Sequence, residues 1–183
     1  MVGRNRVGEL PNLDRFLQFV DGDDLGMVLR SHLALEVTLN MVIASSSPDG
    51  LGDLERLPFM TKVDVLALLG KLPPDTRQSF AVANKVRNDF AHHLDAAITE
   101  NRAAEFLASF HPSTWDGFQF RAHQAALAGT SRDKVAHCFA TLFLIAAAYG
   151  GLVRELLASL PTPPEEADGA GSELQRPRPR SRA

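Results

Sequence analysis

The chain has 183 residues, of which 45% are hydrophobic and 22% charged, with a formal net charge of -3. That composition supports a soluble globular core. It speaks against a surface that coats nucleic acid along its whole length, though it leaves room for a local basic patch. Leu and Ala far outnumber β-branched residues, so helix is the expected class. The one cysteine, Cys138, sits in an apolar run. It can form neither an internal disulfide nor a zinc site by itself, and it reads as a small buried hydrophobe in a reducing cytoplasm. The N-terminal MVGRNRVGELPNLDRF lacks the apolar core of a signal peptide. Val135–Val153 is apolar but alanine-rich, with His137 and two glycines, so it reads as a buried helix rather than a membrane span.

Along the chain, Leu13, Phe16, Leu17 and Val20 predict a short amphipathic helix over Asn12–Val20. Asp21-Gly22-Asp23-Asp24 stops it and opens a long helix from Asp24 to about Ala44, which Ser45-Ser46-Ser47-Pro48-Asp49-Gly50 ends. Leu51–Pro58 reads as a connection, followed by a helix over Phe59–Leu69 that stops at Gly70. Pro73-Pro74-Asp75 opens a helix reaching about Leu94, and a shorter one spans Ile98–Phe110. Residues 111–130 read as irregular, with Trp115, Phe118 and Phe120 pinning a loop to the core. Ser131 caps a last helix running to about Leu160. From Pro161 the composition turns to Pro, Gly and Glu and ends in Arg-Pro-Arg-Pro-Arg-Ser-Arg-Ala. A disordered tail over 161–183 is expected beyond a helical domain over 1–160. Its terminal arginines serve solubility or touch an acidic partner or a phosphate backbone.

Two helical wheels carry the functional signal. On Asp75–Leu94, the residues Phe80, Ala83, Val86, Phe90, Ala91 and Leu94 share one arc, and Arg87 falls in its middle. On Asp24–Ala44, His32 and Glu36 fall inside the apolar arc, with Asn40 at its edge. A charge on a core-facing stripe is costly unless paired. Opposite charges on two apolar arcs therefore predict that Glu36 meets Arg87, with His32 nearby. Such a pair either fixes helix register or lines a cleft or dimer seam.

The second cluster is Arg87-Asn88-Asp89-Phe90-Ala91-His92-His93. Arg87 and His92 lie about 140° apart on a regular helix and converge only through a bend, a helix end or a second copy. Asn88 with His92, and Asp89 with His93, are i, i+4 neighbours that can hydrogen-bond. Adjacent helical positions point apart, so His92 and His93 are not expected to share a metal, and no cofactor is expected.

Arg87 through His92 matches the R-x4-H pattern of the HEPN superfamily, including the polar residue after the arginine. The wider stretch Met60–Leu94 resembles the bacterial mannitol-operon-repressor-like family: a lysine-bearing helix, a leucine-rich "ALG" turn and an "IRNxFAH"-type helix follow in that order. Asp23 to Gly26, Leu35-Glu36 and Ser131-Arg132 also sit where that pattern expects them, so the resemblance covers roughly 20–160. It implies an all-helical domain that pairs through the motif face. In catalytic HEPN proteins the motif cuts RNA without metal. On that pattern His92 acts as acid or base at the 2′-OH or the leaving 5′-oxygen, Arg87 stabilises charge on the scissile phosphate, and Asn88 orients one of them. The repressor-like branch implies regulation rather than cleavage. A Glu36 carboxylate held on Arg87 would compete with phosphate.

The expected architecture is all-α, with about five or six helices in a bundle. A homodimer is expected, without a membrane partner. No helix-turn-helix with a basic recognition helix is evident, so direct DNA binding is not expected. The expected function is a non-enzymatic regulatory module working through a protein or RNA partner. The alternative is a metal-independent endoribonuclease built on Arg87, Asn88 and His92, with His32 and Glu36 in support. The sequence leaves open whether the chain is an enzyme.

Overall fold

Six α-helices and no strand make up the regular structure of the described residues in the computed structural model. Those residues are 23–46, 56–115 and 119–154, without the side chains of 119–122. The expected helix over 12–20, the stop at 47–50, the aromatic side chains of Phe118 and Phe120, and the tail lie outside them. In chain order the helices are α1 (Asp24–Ser46), α2 (Phe59–Leu68), α3 (Arg77–His92), α4 (Glu100–Ala108), α5 (Gln119–Ala128) and α6 (Ser131–Tyr149).

Local chemistry sets most of the boundaries. Asp23 accepts a hydrogen bond from Gly26 N–H and so caps α1. After α2, Gly70 takes φ +66° and Lys71 N–H returns to the Leu66 carbonyl at 2.8 Å, a left-handed stop that suits glycine. Pro74–Thr76 forms a short 3-10 turn that leads into α3. That helix ends at His92, two residues before the expected end, because His93 turns extended and the chain bends back toward α4. Leu94 then stands fully in solvent instead of extending the core. Thr99 caps α4, so this helix is shorter than the expected span over 98–110. Thr130, one residue before the expected cap, forms a reciprocal capping box with Asp133 at the start of α6. The Ser131 hydroxyl instead donates to Glu100 at 2.7 Å. α6 stops at Tyr149 before Gly150, so the expected helix is interrupted there; 153–154 are helical again, and 155–160 of the expected span lie outside the described residues.

The described part of 111–130 is mostly helical rather than irregular, with 116–118 outside the described residues. It holds a 3-10 turn over Pro112–Trp115 and then α5. The α5 sequence QFRAHQAALA is rich in strong helix formers but has a weak apolar stripe, so periodicity misses what propensity supports.

The core lies between α1 and α6, which make the most extensive helix pair. Met27, Val28, Leu35, Leu39 and Val42 of α1 meet Cys138, Phe139, Leu142, Phe143 and Ala146 of α6 in one buried cluster. Phe80, Ala83, Val86 and Phe90 bring α3 into it, and Phe106 of α4 packs edge-on to Phe139 at 5.3 Å. Cys138 is buried there, as its apolar surroundings predict. At one end of the bundle, Asp24 accepts from Ile98 N–H at 3.3 Å and from Arg132 Nη1 at 3.1 Å, tying α1 to the segments before α4 and at the start of α6. By length and composition α1 could also cross a membrane, a test that buried core helices pass as well.

Candidate functional site

α1, α2 and α3 meet along a seam that is polar where a helical core is normally apolar. α1 contributes His32 and Glu36 one turn apart, and α3 contributes Asn84, Arg87 and Asn88. The third member is Lys62 of α2, which sequence reasoning did not single out as a site residue. It lies among Phe59, Val63 and Leu66 on the buried face of α2 and is itself fully buried. Its stem fills core space while its Nζ donates to Glu36 Oε1 at 2.8 Å. The spacing of Lys62 to Phe59 and Leu66 was a readable signal, since it puts a charge on an apolar arc of a third helix.

This geometry corrects the expected Glu36–Arg87 pair. Glu36 is taken by Lys62, and Arg87 Nη1 instead donates to Asn88 Oδ1 at 3.0 Å. The wheels considered two helices, and the carboxylate is claimed by the one between them. Arg87 also lies at the edge of the buried arc rather than in its middle: Ser79, Phe80, Val82, Ala83, Val86 and Phe90 are buried, while Ala91 and Leu94 are exposed. Arg87 is half-buried, and the partner it contacts directly is a neutral amide oxygen.

His32 is buried against Phe59, with ring centroids 4.3 Å apart and planes inclined by 38°. Among the described residues its Nε2 has no hydrogen-bonding partner, nor has the buried Oδ1 of Asn40 two turns along. Burial is the main force that lowers the His32 pKa from 6.5 to about 4; the Arg87 charge adds to it, and Glu36 and Asn84 oppose it. The imidazole is therefore neutral in the fold near neutral pH. Its folded pKa lies below its unfolded value, so its contribution is complete above pH 6.5 and is lost as pH falls toward about 4. The melting temperature should fall across that window, and by less in His32→Leu. Parallel acid losses in the two proteins would remove His32 from the account.

His92 is the last residue of α3 and stands in solvent. No hydrogen bond holds its ring among the described residues, and Asn88 is turned to Arg87 instead of to His92. α3 runs unbroken through Arg87 and His92, so one copy leaves them on different sides of the helix. The anticipated Asp89–His93 pair is not formed either. Arg102 of α4 takes Asp89 at 2.8 Å, donates to the Ala97 carbonyl at 2.6 Å and covers the Phe90 ring at 5.6 Å. This clamp holds the return from α3 to α4. The groove beside it is lined by Lys85, Asp89, His93, Arg102 and Glu105, and its cations are paired, Lys85 with Glu105 at 2.7 Å. An anion finds less unclaimed charge there than at Arg87.

Comparison with protein-family models, with curated proteins and with solved structures finds no match to this chain.

Proposed function

We propose that this chain is a regulatory, non-enzymatic helical module that binds RNA through the Arg87–Asn88 edge of α3, as a homodimer in the cytoplasm. The observation that carries this reading is the division of charge in the seam. Lys62 neutralises Glu36, so the half-buried guanidinium of Arg87 contacts a neutral amide and keeps its charge for a ligand. A guanidinium so placed suits the oxygens of a phosphate, which it grips with two parallel N–H groups. The exposed Ala91 and Leu94 flank His92 and give a second copy an apolar foothold beside the same edge. The resemblance to the repressor-like family agrees with regulation.

Metal-independent cleavage is the second reading, favoured by the exposed His92 at the end of the same helix that carries Arg87. A general acid or base must be held within hydrogen-bond reach of the proton it moves. Within one copy His92 has no hydrogen-bonding partner among the described residues and diverges from Arg87, so this reading needs the second copy to complete each site.

The test measures binding and cleavage of labelled single-stranded RNA by the full chain in EDTA. Arg87→Ala should weaken binding about 10- to 100-fold, as expected for a charge-assisted contact, and lower the salt dependence by about one phosphate. His92→Ala should bind like the native chain. Loss of binding must come with an unchanged melting temperature. A native chain that binds no RNA at low salt would overturn the proposal, and cutting that His92→Ala abolishes would establish the ribonuclease instead.

A further inference from the structure

Outside the charged seam, His123 of α5 and His137 of α6 meet beneath Trp115. Their ring centroids are 5.6 Å apart, with planes inclined by 37°. Trp115 stacks at 4.0 Å on His123 and at 5.2 Å on His137, and it contacts Phe110 at 4.8 Å. His123 Nδ1 and His137 Nε2 are both buried, and neither has a hydrogen-bonding partner among the described residues. Phenylalanine or leucine would fill this space without stranding two polar atoms, which carry a desolvation cost unless something satisfies them.

The spacing fits an ion between the rings. With a metal–nitrogen bond of about 2.0–2.1 Å, the ion sits about 3.2 Å from each ring centre, so two imidazoles are about 5.2 Å apart in tetrahedral geometry and about 6.4 Å apart in linear geometry. The observed 5.6 Å lies between these limits. Burial also lowers the pKa of both rings, that of His137 to about 4 with the neighbouring His123 adding to the effect. Neutral imidazoles keep their lone pairs, and protons do not compete for them near neutrality. Both side chains are only half-buried as a whole, which leaves a route inward.

We propose that His123 Nδ1 and His137 Nε2 chelate a late first-row transition-metal ion of the zinc and copper class, with solvent completing its shell. No group of three or more His, Cys, Asp and Glu gathers to hold a metal among the described residues, so the protein supplies a two-ligand site. Such a site binds with modest strength and should rank copper(II) above nickel(II) and zinc(II). A bound ion would staple α5 to α6.

The chain has one tryptophan, and it lies on the site. The experiment strips the full chain with EDTA, removes the chelator, and titrates copper(II) or nickel(II) while Trp115 fluorescence is read. Expected are saturable quenching with one equivalent, reversal by EDTA, and a melting temperature raised by zinc(II). His123→Gln and His137→Gln should each weaken binding by about tenfold or more, whereas the double variant His92→Gln/His93→Gln should not. Should either site variant fold poorly, ring 15N shifts of the native chain on zinc(II) addition decide, because His123 and His137 must be the rings that move. No saturable response, a response that survives both site variants, or shifts confined to other histidines would overturn the site and leave two packed imidazoles.

Discussion

Glu36→Ala is expected to destabilise the fold by about 3 kcal/mol, because it strands a buried ammonium. Lys62 is fully buried, its side chain 1% exposed, and Glu36 Oε1 is the acceptor for its Nζ. Glu36 itself is 36% exposed on its side chain, so water reaches the outer end of the pair. That access places the expected cost at the lower end of the range for breaking a buried pair, about 3–5 kcal/mol. The double variant Glu36→Ala/Lys62→Met should recover most of the loss, since methionine fills the same channel without a charge. Urea unfolding of the four proteins in the cycle measures the coupling. A Glu36→Ala loss below about 0.5 kcal/mol would mean that solvent satisfies Lys62 from the open side. The pair also bears on ligand binding. Lys62→Met alone frees Glu36 to turn toward Arg87, so RNA affinity should fall, and Lys62→Met/Glu36→Gln should restore it.

Gly150→Ala is expected to cost about 2–3 kcal/mol, from overpacking rather than from backbone strain. The Gly150 φ of -70° is open to any residue. The obstacle is space: an added Cβ would run into the Val42 side chain and the Ala146 carbonyl, which already accepts the Gly150 N–H at 2.9 Å. Val42 is itself fully buried on α1, so it has little freedom to move aside. Val42→Ala removes the obstructing methyls, and the double variant Gly150→Ala/Val42→Ala should lose less than the sum of the single losses. Gly70→Ala provides the contrast, since that site has positive φ and open space around it. Its cost should be about 1 kcal/mol and purely conformational. Chemical unfolding at fixed pH reads all four proteins. Additive losses at 42 and 150 would show that the two helices relax apart.

Much of the fold was legible because its punctuation is local. Asp24, Gly70, the Pro73-Pro74 pair and the turn before Ser131 mark helix ends through short-range hydrogen bonds and backbone preference, and those ends fall within a few residues of their expected places. α5 was hidden because its helix-forming residues lack a strong apolar period, and Leu94 misled because an apolar residue past a helix end need not face the core. The seam was half legible. The wheels found His32 and Glu36 correctly as polar groups on a largely buried face of α1. They could not name the partner, because a wheel describes one helix at a time and a buried pair is a property of the two helices that meet. Arg102 was out of reach for the same reason, since its link to Asp89 depends on how α4 returns across α3.

The burial of Cys138 has a practical consequence. It is the chain's one thiol, it lies in the middle of α6, and its surroundings push its pKa well above the ordinary thiol value. A thiolate-seeking reagent therefore reaches it only in molecules whose α6 has momentarily left its seat. Its labelling rate counts those departures, and the dependence of that rate on urea separates a local lift of one helix from unfolding of the whole bundle. Every variant discussed above retains this cysteine, so each carries the same internal clock.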